Sequence, residues 1–211
     1  MGKWMDGYLD KLSKLNEESL LGGGKERIDV QHSLGKLTAR ERIDRLADPG
    51  SFEELGSLVR NPYARMIENP KPDPGDGVVM GLAKINGRPV MVYAFDFTVM
   101  SGTLGDQGAW KVAELVQMAG QEQLPLIGMI DSAGSRIGFK GGFTGLDGIG
   151  RLVRNYCLYS GIIPQITMLL GPCTGPLAQI PALSDVLIMN SETSFLWLGG
   201  EIKSEEAGKA V

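Results

Sequence analysis

An apolar run, Leu126-Ile127-Gly128-Met129-Ile130, leads straight into the small-residue turn Asp131-Ser132-Ala133-Gly134-Ser135-Arg136-Ile137. The same plan returns at Ile166-Thr167-Met168-Leu169-Leu170, followed by Gly171-Pro172-Cys173-Thr174-Gly175-Pro176. Short apolar runs bounded by Gly and Pro read as buried strands. Helical stretches follow each turn, at about Asp147 to Ser160 and Leu177 to Ser184. Strands alternating with helices predict an α/β fold in which helices cover a sheet. Turns of small residues also bring backbone N–H groups up to a ligand, and two of them side by side can hold one oxyanion. Side-chain chemistry is sparse, with a single histidine in the chain. Backbone amides acting on an enolate are therefore the expected catalytic tool.

The 211 residues, 43% apolar and 22% charged, suffice for one ordinary core, and no run approaches the ~20 apolar residues of a membrane span. The start, Met1-Gly2-Lys3-Trp4-Met5-Asp6, lacks the apolar stretch of a secretory signal, so a cytoplasmic location is expected. A net charge of −4 with dispersed basic residues gives no footprint for nucleic acid. Cys157 and Cys173 match neither a zinc pattern nor a disulfide framework and read as reduced packing thiols. No group of ligands has metal-site spacing, so no metal is expected.

Residues 1–77 read as an N-terminal helical and loop extension, and residues 78–211 as the core. Met5, Tyr8, Leu9, Leu12 and Leu15 keep helical spacing up to Gly22-Gly23-Gly24. Thr38-Ala39-Arg40-Glu41 has the form of a capping box and predicts a helix through Leu46. His32 is placed in the linker before it. Tyr63 to Gly77 reads as a loop. Val78 to Ile85 and Pro89 to Phe95 flank Asn86-Gly87, a hairpin turn. After a Gly-rich break at Ser101 to Gly105 come a helix to about Ala119 and the strands Leu126 to Ile130, Gln165 to Leu170, Val186 to Asn190 and Thr193 to Leu198.

Gly35-Lys36-Leu37-Thr38-Ala39-Arg40-Glu41-Arg42-Ile43, Asp48-Pro49-Gly50-Ser51-Phe52-Glu53-Glu54, Gly75-Asp76-Gly77-Val78-Val79 and Asp96-Phe97-Thr98-Val99 resemble, in order, blocks of the carboxyltransferase subunits of biotin-dependent acyl-CoA carboxylases. So do Asp131 to Ile137, Gly161 to Gln165 and Gly171 to Gly175. The resemblance implies a crotonase/ClpP-like ββα superhelix preceded by N-terminal helices. It implies carboxyl transfer between N1-carboxybiotin and the α-carbon of an acyl-CoA, with the coenzyme A thioester as substrate. In that reading biotin is carried on a partner protein and its ureido group takes the α-proton, so no protein base is needed. The implied partners are the biotin carboxyl carrier and biotin carboxylase subunits, together with a C-terminal carboxyltransferase half that holds the biotin side. A homo- or hetero-oligomer is expected. The chain resembles an incomplete N-terminal half, either a separate subunit or a truncated product, and is expected not to turn over alone. A biotin-dependent acyl-CoA decarboxylase α-subunit and a non-catalytic assembly module are the alternative readings.

Carried over by motif, Ala133 and Gly134 fall where the family has a Gly-Gly pair whose amides face the acyl thioester. Where the family commonly reads Cys-Ala-Gly-Gly-Ala, this chain has Cys173-Thr174-Gly175-Pro176-Leu177, and proline has no N–H to donate. Either Pro176 simply starts a helix and Gly175 still donates, or the second donor is weakened. Arg136 either pins its loop by an ion pair or contacts ligand. Lys36, Arg40 and Arg42 either meet the phosphates of coenzyme A or form a solvated helix face. Phe139, in Gly138 to Phe143, belongs either to a lid over the acyl chain or to an ordinary surface loop. Ser132 and Ser135 do not make a serine hydrolase, because no histidine follows His32.

Overall fold

The computed structural model describes residues 3–61, 73–136 and 146–199. Three helices come first: α1 (Lys3–Leu20), α2 (Lys25–Ser33) and α3 (Ala39–Leu46). The strands are β1 (Glu53–Glu54), β2 (Val78–Ile85), β3 (Arg88–Phe95), β4 (Leu126–Ser132), β5 (Gln165–Thr174), β6 (Val186–Met189) and β7 (Phe195–Trp197). Helices α4 (Asp106–Gln121), α5 (Leu146–Tyr159) and α6 (Gln179–Leu183) cross between parallel strands. The sheet runs β1-β2-β3-β4-β5-β6, and β7 pairs with the far half of β5. The β2–β3 hairpin is antiparallel and turns at Asn86-Gly87, whose N–H groups donate to the Asp48 carboxylate at 2.9 and 2.7 Å. From β3 onward every pairing is parallel.

Period-two alternation divides the core into two layers. Tyr93, Phe95, Leu126, Ile130, Leu169 and Cys173 point toward α4 and α5, while Val90, Val92, Ala94, Ile127 and Met129 pack against Ala39 and Ile43 of α3. Thr38 caps α3 with the full reciprocal box to Glu41, as its spacing predicts. Helix α3 is thereby a packed second layer on this face of the sheet.

Several expectations need correction. His32 lies in α2, an element that the linker reading omits, with its Nε2 2.9 Å from the Glu41 carboxylate. Gln, Lys and Asp interrupt any apolar stripe there, so periodicity had nothing to detect. The strand expected to stop at Leu170 runs to Thr174, because β7 continues the ladder past Gly171-Pro172. The helix expected from Leu177 begins as a single 3-10 turn, Gly175–Ala178, with Pro176 in its first positions. The apolar stripe of α1 does not face the core: Tyr8, Leu9 and Leu12 are 65%, 51% and 45% exposed. Ile137, Phe139 with the rest of its loop, most of the Tyr63–Gly77 loop and Glu201 to Lys203 lie outside the described residues.

Candidate active site at the ends of β4 and β5

Strands β4 and β5 are parallel neighbours, so the turns that follow them emerge side by side at one edge of the sheet. The Thr174 hydroxyl donates to the Ala133 carbonyl at 2.8 Å and ties one turn to the other. Gly134 has φ 104, a conformation that L side chains rarely adopt, and a Cβ there would press into Thr174. Glycine is thus required at 134 by both conformation and space.

The amides of the first turn are already engaged. Ala133 N–H donates to the Ser101 carbonyl at 3.0 Å, and Gly134 N–H donates to Ser132 Oγ at 3.0 Å. These two contacts differ in kind. A hydroxyl moves away by rotation about one side-chain bond, whereas the Ser101 carbonyl belongs to a tight turn in which Met100, Ser101 and Gly102 all have positive φ. Two non-glycine residues held in that region mark a backbone fixed by its surroundings. Ala133 is exposed and presents its methyl beside the amides, while the Ser135 hydroxyl is buried without a partner among the described residues.

Arg136 is buried and bonded to the neighbouring turns. Its guanidinium pairs with Asp76 and donates to the Thr103 carbonyl at 2.8 Å, and the Arg136 N–H reaches the Leu104 carbonyl at 2.9 Å. Lys36, Arg40 and Arg42 are each paired with a carboxylate and largely buried, so they do not form a solvated face. Lys36 Nζ sits 2.8 Å from Asp131 Oδ1, Arg42 Nη2 sits 2.7 Å from Asp131 Oδ2, and Arg40 pairs with Glu54. Arg40 and Arg42 lie on α3 and Lys36 just before it, where α3 rests on β2 and β3 and buried cations need carboxylates. Asp131 and Gln31 escaped the sequence reading, although Ile127, Met129 and Asp131 alternate onto the α3 face. Cys173 is buried, and burial pushes its thiol up to about 12, so it offers no nucleophile beside Thr174.

The mixed sheet with its parallel half, the crossover helices and the abutting strand-end turns define an α/β protein of the crotonase-like class. Residues 30–206 match the carboxyl transferase domain, and the chain belongs to that family. It is 38% identical over 98% of its length to the propionyl-CoA carboxylase beta chain of Roseobacter denitrificans, and 42% identical over 90% to the mitochondrial beta chain of Homo sapiens. It spans 42% and 35% of those two proteins. Among solved structures, transcarboxylase 12S with hydrolysed methylmalonyl-coenzyme A bound superposes with a TM-score of 0.85 at 35% identity, covering 94% of this chain and 38% of that one. A single-chain, multi-domain long-chain acyl-CoA carboxylase superposes at 0.81 and 28% identity, over 95% of this chain and 21% of that one.

Proposed function

We propose that this chain forms the acyl-CoA half-site of a biotin-dependent carboxyltransferase. The observation that carries the reading is the hydroxyl tie from Thr174 to Ala133, which sets two strand-end turns against each other in a member of the carboxyl transferase family. An α-proton of a thioester leaves at neutral pH only if the enolate oxygen is stabilised, and each preorganised amide donor contributes roughly 3 to 4 kcal/mol in a dry site. Gly134 is the first donor, released when the Ser132 hydroxyl rotates to another partner. Gly175 is the second, at the entrance of a 3-10 turn in which the missing N–H of Pro176 is not needed. Ala133 shapes the pocket with its methyl, its own N–H being held by Ser101.

Biotin, on a partner protein, supplies the carboxyl group when bound. The donors assigned to this chain suit one thioester oxygen and do not extend to a ureido ring. Lys36 and Arg40, already paired with Asp131 and Glu54, are not assigned to the coenzyme A phosphates. The assembly-module reading draws on one observation, that both first-turn amides are internally bonded. Calorimetric titration of the folded chain with acetyl-, propionyl- and longer acyl-CoAs, against free coenzyme A, separates the two. A preference for one thioester over coenzyme A is the expected result, and equal or absent binding of all of them supports the assembly reading instead.

A further inference from the structure

We propose that Asp131 is a positioning residue whose buried carboxylate holds both strand-end turns in register against the N-terminal helices. Asp131 is 0% exposed, and both of its oxygens are engaged. Oδ1 accepts from Lys36 Nζ at 2.8 Å, and Oδ2 accepts from Arg42 Nη2 at 2.7 Å and Gln31 Nε2 at 3.0 Å. The Lys36 ammonium also lies 4.5 Å from the centre of the Phe97 ring. Three donors from α2, α3 and the segment between them therefore meet one carboxylate at the end of β4.

Asp131 also fixes β5. Ile130 is paired with Leu169 and Ser132 with Cys173, so Leu170, Gly171 and Pro172 together lie opposite Asp131 alone. A Cβ on Gly171 would overlap the Asp131 carboxylate, so this bulge is where the side chain passes across β5. The slip carries Thr174 to the level of Ala133, where its hydroxyl ties the turns. The backbone of Asp131 is close-packed too, because a Cβ on Gly102 would overlap its carbonyl, and Gly102 follows the Ser101 that holds Ala133 N–H. A carboxylate in a dry site with two cations and an amide has one low-energy arrangement, since removing it leaves buried cations unpaired. That rigidity is what donors of an oxyanion need, because their contribution depends on being aimed before the substrate arrives. The link to catalysis rests on the half-site reading above; the link to turn geometry does not.

The test uses the full chain and three variants, D131N, D131N with K36M, and G171A. The double variant removes one cation with the anion and keeps the formal charge of the cluster. G171A leaves every charged group in place and displaces the carboxylate by contact alone. Hydrogen–deuterium exchange is read by mass spectrometry at 131–136 and 171–178, with β3 and α4 as internal references. Exchange at both turns is expected to rise by at least ~10-fold in every folded variant, with the references unchanged. Thioester-over-coenzyme A preference is expected to fall by about tenfold while free coenzyme A binds as in the parent, since a loosened donor weakens only what the acyl oxygen contacts. If D131N does not fold, the double variant and G171A decide the matter. Wild-type exchange at both turns, with loosening confined to residues 25–46, overturns the proposal, as does loosened turns with undiminished preference. A parent chain with no thioester preference overturns the half-site reading, and exchange then still decides the role of Asp131.

Discussion

Thr174 does at the scale of one residue what the sheet does at the scale of the fold: it fixes the distance between two turns. Its hydroxyl donates to a carbonyl at 2.8 Å, a bond a valine of the same shape cannot make. T174V should lower stability by about 1 kcal/mol, measured by urea unfolding, the ordinary net worth of one hydrogen bond. It should weaken thioester binding more than coenzyme A binding. Equal weakening of both would mean that the tie supports the fold alone. The motif at 173–177 pointed to this place, but not to the hydroxyl's partner. That partner depends on the slip between β4 and β5, which no local pattern encodes.

At the scale of the element, the buried ammonium of Lys111 on α4 joins a helix to the turn before β2. Its Nζ donates to the Gly75 and Val78 carbonyls at 2.9 and 2.6 Å. Burial pushes it down to about 8, opposed by the Glu54 and Asp76 carboxylates. The unfolded chain keeps this group protonated up to roughly pH 10.4. Between about 8 and that value the unfolded state binds more protons than the folded one, so this group's contribution to stability rises with pH. Below about 8 it is at its least favourable. Urea unfolding across pH 7 to 10 should give a more positive slope of stability against pH in the parent than in K111M, because the raised Cys173 thiol acts with the opposite sign in both; identical slopes would assign the effect to other groups. Helices with a strong local signature were legible: Thr38 and Glu41 announce α3, and the turn chemistry of Asn86-Gly87 announces the hairpin. Helix α2 was not, since it carries no apolar stripe and its contacts, such as Gln31 to Asp131 across 100 positions, are distant in sequence. The spacing in α1 shows which face is apolar but not what covers it, and Tyr8 is 65% exposed.

Over the whole molecule, the N-terminal helices and the sheet meet at one buried carboxylate, and the two candidate catalytic turns project just beyond it. The family was legible because its blocks recur in order along the chain. The state of the amides was not, because hydrogen-bond partners such as Ser101 come from a loop distant in sequence. The chain spans 35% to 42% of the relatives compared, so the complete transfer reaction belongs to a larger assembly in the reading proposed here. In that reading the step at this site is polarisation of a thioester carbonyl, which can be observed directly. Infrared spectroscopy of propionyl-CoA labelled with carbon-13 at the carbonyl, bound to the full chain, reads the strength of the donors at that oxygen. The account predicts a shift of the bound carbonyl stretch to lower frequency, reduced in T174V, which unties the turn carrying the N–H assigned to the oxyanion. A bound thioester whose carbonyl stretch matches that in water, or a shift unchanged in T174V, would contradict it.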